Sequence, residues 1–244
     1  MKILALETST ERLSLALADG ERMTVRDIDA GQRHSELALA ALRELLAESG
    51  VTIAELDAVA FGQGPGSFVG VRIACGLAQG LALGAGKRLA PVPTLMALAE
   101  QAGGDKVLVA NDARMGEYYF AAYRRDTSIG SGWRAEVEPM LATRDKLPAI
   151  DGTGWQAIGS AFHVEPLAAT LRARYAGQCM TPVAATFPSA ADIARIAARM
   201  IAKDGPSALI APEQAAPLYL RDKVALTIAE RAQQRAAVAA GVAA

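Results

Sequence analysis

The stretch "GQGPGSFVGVRIACGLAQGLALG", Gly62 to Gly84, holds seven glycines and, after Ser67, only two polar side chains, Arg72 and Gln79. It reads as the end of a strand, a Gly-Pro-Gly turn and a long helix opened by Ser67, because a serine ahead of an apolar run is a favoured N-cap. A phosphate-binding P-loop would need a lysine after its last loop glycine to reach the outer phosphates, and none follows. The dinucleotide fingerprint G-x-G-x-x-G also fails, since Ser67 or Val69 stands where the third glycine would be. Two readings of the turn remain. Gly64, Gly66 and Ser67 are candidate anion- or nucleotide-binding residues, with the N–H groups of Phe68 to Gly70 at a helix N-terminus. Alternatively the glycines make a sharp turn and Ser67 only caps the helix, which is the favoured reading because caps are far commoner than anion sites.

The body of this helix carries two stripes of small residues. At about 100° per residue, Gly76, Gly80 and Gly84 fall on one face, while Gly70, Ala74, Ala78 and Ala82 fall nearly opposite. Each interior glycine costs about 1 kcal/mol relative to alanine, so close packing must offset the loss. A helix apolar nearly all round is buried on both sides: one side belongs on the chain's own sheet, and the other needs a second helix layer, internal or from a partner.

On the N-terminal side of this stretch, residues 2–8, 12–18 and 22–28 read as three strands, with Asp19-Gly20 marking a tight turn, so an antiparallel meander is expected. A helix follows from His34 to Ser49, then a strand over 56–62. On the C-terminal side, "RLAPV" at 88–92 and "TLMALAEQA" at 94–102 repeat the strand–helix pattern. The order β-β-β-α-β-α-β-α predicts an α/β protein with a mixed sheet flanked by helices. "GGDK" at 103–106 interrupts it, and the strand-rich "VLVANDA" and "EYYFAAY" begin a second region. The expected division is residues 1–103, residues 104–225 and an Ala-rich tail, 226–244. Within the second part, "SAADIARIAARMIAK" has helical spacing, with Ile193, Ile196 and Ile201 on one side.

Composition excludes several classes of function. With 25 Lys and Arg against 26 Asp and Glu, the net charge of −1 provides no global field for a nucleic-acid backbone. "MKILAL" is too short for a signal-peptide core, and Arg72 and Gln79 make the helix-like run at 68–83 a poor membrane span. A cytoplasmic protein is expected. Cys75 and Cys179 have no C-x-x-C spacing, and the two histidines, His34 and His163, form no pair. Ala38 stands where an H-x-x-x-H site on His34 would need its second ligand, so no metal is expected. "NDARMGEYY" brings Asp112, Arg114 and Glu117 to a strand end. Without a nucleophile or base beside them, an ion-paired turn leading into a hairpin is favoured over a polar site.

These residues resemble a known family. "GQGPGSFVGVRIACGLAQGLA" is similar to the G-x-G-P-G-S-F-T-G-L-R-I-G hallmark of the TsaB (YeaZ) proteins, and "HSE", "NDARMGEYYFAAY", "IGSAF" and "PLYLRD" match further family blocks in order. The likeness covers Met1 to about Val224. It departs from the hallmark at Val69, Val71 and Ala74, and the missing hydroxyl at Val69 weakens any catalytic reading of the loop. The resemblance implies an actin-like ATPase (ASKHA) fold of two lobes, each a mixed sheet flanked by helices. It also implies a role in making threonylcarbamoyladenosine in tRNAs that read codons starting with A. The chain would be a non-catalytic paralogue and heterodimer partner of the transferase TsaD, joined by the ATPase TsaE, with tRNA engaged through the complex.

By the same resemblance the partner surface lies on two helices. Leu39, Leu42 and Leu46 are its candidates on the first. On the second they are Gly70, Arg72, Ala74 and Gly76, followed by Ala78, Gln79 and Gly80. No intrinsic cofactor is implied, and ATP or ADP at the interface of the complex is the nucleotide candidate; a homodimer is the alternative assembly when the chain is alone. The rival functions are an active actin-fold ATPase or kinase, opposed by the lack of a second phosphate loop, and an M22-type metallopeptidase, opposed by the histidine count.

Overall fold

The computed structural model describes residues 1–184 and 187–221; the expected tail at 226–244 lies outside the described residues. Strands β1 (Lys2–Glu7), β2 (Arg12–Asp19) and β3 (Arg22–Asp29) form the antiparallel meander, and α1 (His34–Ser49) follows. The chain continues through β4 (Ala58–Gly62), α2 (Phe68–Ala85), β5 (Arg88–Val92) and α3 (Thr94–Ala102). The first sheet has the order β3-β2-β1-β4-β5, with β4 parallel to both β1 and β5. A second sheet is built from β6 (Lys106–Asp112), β7 (Glu117–Arg125), β8 (Trp133–Thr143) and β9 (Gln156–Ile158) in the order β8-β7-β6-β9. Its β6 pairs antiparallel with β7 and parallel with β9, so it repeats the β3-β2-β1-β4 plan of the first sheet. Helices α4 (Leu167–Arg174) and α5 (Ala190–Asp204) complete the strands and α-helices of the described residues.

Period-2 alternation in the first sheet decides which helix lies on which face. Leu4, Leu6, Leu15, Val59 and Phe61 point to the side covered by α1 and α2. The alternate positions are mostly small, Ala5, Ala16, Ala60 and Ala90 among them, and they pack against Ile193, Ile196 and Ala197 of α5. A floor of alanines leaves room for a helix to approach closely, which is how a helix far along the chain returns to the first sheet. This corrects the expected division at 104–225: α5 and the strap that follows it belong to the first lobe, with Ile210 bridging to Leu89 of β5. Helix α3 touches both lobes, giving Ala97 to the first-sheet cluster and Leu95, Leu98 and Ala99 to a cluster with Val107, Val109 and Tyr123 of the second. The layers run α1/α2, first sheet, α5/α3, second sheet, α4.

Glu100 on α3 gathers the two lobes on the α5 side. Arg199 of α5 grips its carboxylate with two hydrogen bonds of 2.9 and 2.7 Å, Trp133 Nε1 donates to it at 2.7 Å and Arg125 at 3.0 Å. Burial alone would raise the Glu100 carboxyl, but the hydrogen bonds and charges of Arg199, Trp133 and Arg125 outweigh it and hold the group below the ordinary carboxylate range. A depressed folded-state pKa contributes stability above the unfolded value of about 4.3, and that contribution is lost as pH falls through the folded value. Glu100→Gln is therefore expected to cost about 2 kcal/mol at pH 7, the screening of the partly exposed Arg199 keeping it from being larger. Chemical denaturation of both proteins from pH 7 to pH 3 checks this, and the gap should shrink below about pH 4.

Candidate functional site

The loop after β4 explains three of the glycines. A Cβ at Gly62 would lie 1.9 Å from Glu7 Oε2, at Gly66 2.4 Å from Ser9 Cβ, and at Gly70 1.9 Å from the carbonyl oxygen of Thr8. They seat the turn between β1 and β2 directly against the start of α2, and Thr8 Oγ1 donates to Gly70 O at 2.7 Å. Beneath them the buried Glu7 accepts hydrogen bonds from Ser9 N–H and from Thr94 Oγ1, which itself accepts from Gly64 N–H. Burial pushes the Glu7 carboxyl up, against the pull of those bonds. The Gly64 N–H is thus already spent. Ser67 caps α2 by accepting from Gly70 N–H, and its own N–H donates to Ser9 O at 2.7 Å.

A cleft of about 1030 Å³ opens between the lobes above this turn. Its polar lining includes Ser9, Ser67, Asn111, Asp112 and Ser160, and its mouth carries the exposed apolar groups Phe68, Val69, Met115 and Tyr219. From the second lobe, Asp112 pairs with Arg114 at 3.3 Å, forming the expected turn of the β6–β7 hairpin. Glu117 pairs with Arg221, which also donates to Ala113 O at 2.9 Å; that arginine stands in the "PLYLRD" block, but nothing in the sequence signals its pairing with a residue more than a hundred positions away. The fit to an anion rests on the α2 N-terminus and on Ser9 Oγ, which is buried without a hydrogen-bond partner among the described residues. Among the described residues no lysine lines the cleft, and both lining guanidiniums, Arg114 and Arg221, already meet carboxylates. The set suits an anion contact. His34 is buried with Nε2 3.3 Å from Arg12 O, and among the described residues no three His, Cys, Asp or Glu side chains gather as a metal site.

The two stripes of α2 have separate fates. Gly70, Ala74, Ala78 and Ala82 are buried against the chain's own core. Among the described residues Gly76, Gly80 and Gly84 face open space, with nothing within 4 Å of an added Cβ. Around them stand Val69 and Leu83, each 63% exposed, and Leu39 of α1 at 50%. This corrects the candidate partner set: Gly70, Ala74 and Ala78, with Leu42 of α1, are core residues, and Leu46 packs mainly on the same cluster. Gln79 is also redirected, its amide donating to Pro212 O of the strap at 2.9 Å. Leu39, Arg72, Gly76 and Gly80 keep an open face. By length and mean hydropathy, 1.5 over 18 residues, α2 could cross a membrane, but its buried stripe makes it a core helix of the first lobe.

Two lobes of repeated β-sheet plan, layered with helices about a cleft, define an actin-like ATPase (ASKHA) fold. The chain belongs to the TsaB family of tRNA threonylcarbamoyladenosine biosynthesis proteins. It is 35% identical over 232 residues to the Escherichia coli K12 protein named tRNA threonylcarbamoyladenosine biosynthesis protein TsaB, covering 92% of this chain and 96% of that one. The Haemophilus influenzae protein of the same name is 37% identical over 177 residues, covering 64% and 74%. The broader family TsaD, described as tRNA N6-adenosine threonylcarbamoyltransferase, matches residues 28–237. Among solved structures, YeaZ from Pseudomonas aeruginosa superposes with a TM-score of 0.75 at 31% identity, covering 90% of this chain and 99% of that one. A second structure from that organism, described as similar to peptidase YeaZ, superposes at 0.79 with the same identity and coverage.

Proposed function

We propose that this chain serves the formation of threonylcarbamoyladenosine in tRNA as a non-catalytic subunit, pairing with a TsaD-type transferase through the open face of α2 and the adjoining part of α1. One observation carries the reading: an 18-residue helix keeps its alanine stripe on its own sheet and leaves a glycine stripe, flanked by exposed Val69, Leu83 and Leu39, bare. Bare glycines weaken a helix unless another backbone comes close, so the stripe suits a partner helix. The family's relation to TsaD supports a paralogue of the same fold as that partner. TsaE joins the pair, tRNA is engaged through the complex in the cytoplasm, and ATP or ADP binds at the joint rather than being turned over by this chain.

The test is a reconstituted reaction holding TsaD, TsaE, ATP, unmodified tRNA and a threonylcarbamoyl donor, with modified adenosine read by mass spectrometry. Product should form when this chain is added and fall to background when it is omitted, and the chain alone should neither modify tRNA nor hydrolyse ATP. Robust turnover by the chain alone, surviving repurification, would instead favour the ATPase reading.

A further inference from the structure

At the start of α2, next to the glycine stripe, Arg72 lies face-on against Phe68, its guanidinium carbon 3.3 Å from the ring centroid, with the Tyr219 ring centroid 5.2 Å away to one side. The two rings are themselves 6.0 Å apart, and all three residues are exposed. Tyr219 is held there by the strap, since Leu218 N–H donates to Gln63 O at 2.7 Å and Gln79 holds Pro212. Arg72 forms no ion pair and donates no hydrogen bond among the described residues, and α2 contains no carboxylate to take one. A guanidinium stacked on one aromatic ring and flanked by a second loses rotamer freedom before it binds anything, while its N–H fork stays free for a planar acceptor.

We propose that Arg72, stacked on Phe68 with Tyr219 at its side, is the docking anchor of this surface and takes a carboxylate from a helix of the partner, so that it decides which partner is accepted. The proposal rests on the partner reading above. Its occupant follows from continuity and charge. Arg72 lies three residues after Val69 and four before Gly76, hence on the open face itself. Its free fork matches an aspartate or glutamate bidentately. A nucleic-acid backbone would call for several cations in a row, and Arg72 is the only basic residue of α2. Arginine and tyrosine, clustered here beside small residues that a docked helix would desolvate, are enriched at interface hot spots.

The experiment measures the affinity of purified TsaD for this chain at low and high salt. Arg72→Met keeps the stem and removes the charge, Arg72→Lys keeps the charge and removes the fork, and Gly80→Leu blocks the helix face. Arg72→Met should weaken binding at least tenfold and abolish the salt dependence of the wild type, and Arg72→Lys should restore only part. A scan replacing each Asp and Glu on TsaD's interface helices by Ala gives an independent reading, because one of them must reproduce the Arg72→Met loss and be non-additive with it. If Arg72→Met binds within twofold of wild type, with unchanged salt dependence, while Gly80→Leu fails to bind, the anchor is wrong and the helix-face reading stands. If both variants bind normally, the helix-face reading falls as well. Loss of self-association by Arg72→Met with normal TsaD binding would place the contact between copies of this chain and overturn the proposal.

Discussion

Gly70→Ala is expected to destabilise the protein by about 3 kcal/mol or more, while the same substitution at Gly76 or Gly80, on the same helix, should stabilise it by up to about 1 kcal/mol. The opposite signs come from what each new methyl meets. At Gly70 it would sit 1.9 Å from Thr8 O and 3.0 Å from the Thr8 carbonyl carbon, both backbone atoms with no rotamer to yield. Relief would require the helix start to move off the β1–β2 turn, which also breaks the bond from Thr8 Oγ1 to Gly70 O. At Gly76 and Gly80 the methyl meets nothing and only restricts the unfolded chain and improves helix propensity. For a chain of this size each kcal/mol shifts the midpoint by roughly 2–4 °C, so thermal melts of the three variants should spread over about 10 °C. Equal midpoints for Gly70→Ala and Gly80→Ala would show that the turn does not rest on α2.

Leucine in place of Ala78 or Gly80 should separate folding from association. Ala78 is fully buried among the residues packed between α2 and the first sheet, so a leucine there overpacks the core at a cost of about 1–3 kcal/mol. A variant that still folds should capture TsaD as the wild type does. Gly80→Leu should melt at or above the wild-type temperature, leucine being the better helix former, yet lose TsaD capture by at least tenfold, because the side chain occupies the space a partner helix needs. Pull-down and melting of both purified variants read the two effects independently. Capture of TsaD by Gly80→Leu at wild-type strength would remove α2 from the interface.

Much of the first lobe was legible locally. The apolar strands at 2–8 and 12–18, the strand at 22–28, the Ser67 cap and the glycine-ended helices are each specified by neighbours a few residues apart. The ion-paired turn at Asp112 and Arg114 was legible for the same reason. What escaped was non-local. The spacing of Ile193, Ile196 and Ile201 marks an apolar face without naming the sheet that receives it, and the helix was assigned to the wrong lobe. Arg221, Tyr219 and the Glu100–Arg199 pair acquire their roles from residues 99 to 147 positions away, through contacts that no periodicity records.

The stripes of α2 mark the same boundary. The sequence by itself determined that this helix has two opposed small-residue faces, because 3.6 residues per turn sort Gly76, Gly80 and Gly84 from Ala74, Ala78 and Ala82. It also determined the family, through motifs kept in order along the chain. Only the tertiary structure decided that the alanine face is the inner one. Phe61, Val59 and the leucines of β1 and β2 leave a floor that a methyl-bearing stripe fills to contact, whereas bare glycines against it would leave voids. The glycines therefore remain outside, where nothing among the described residues covers them.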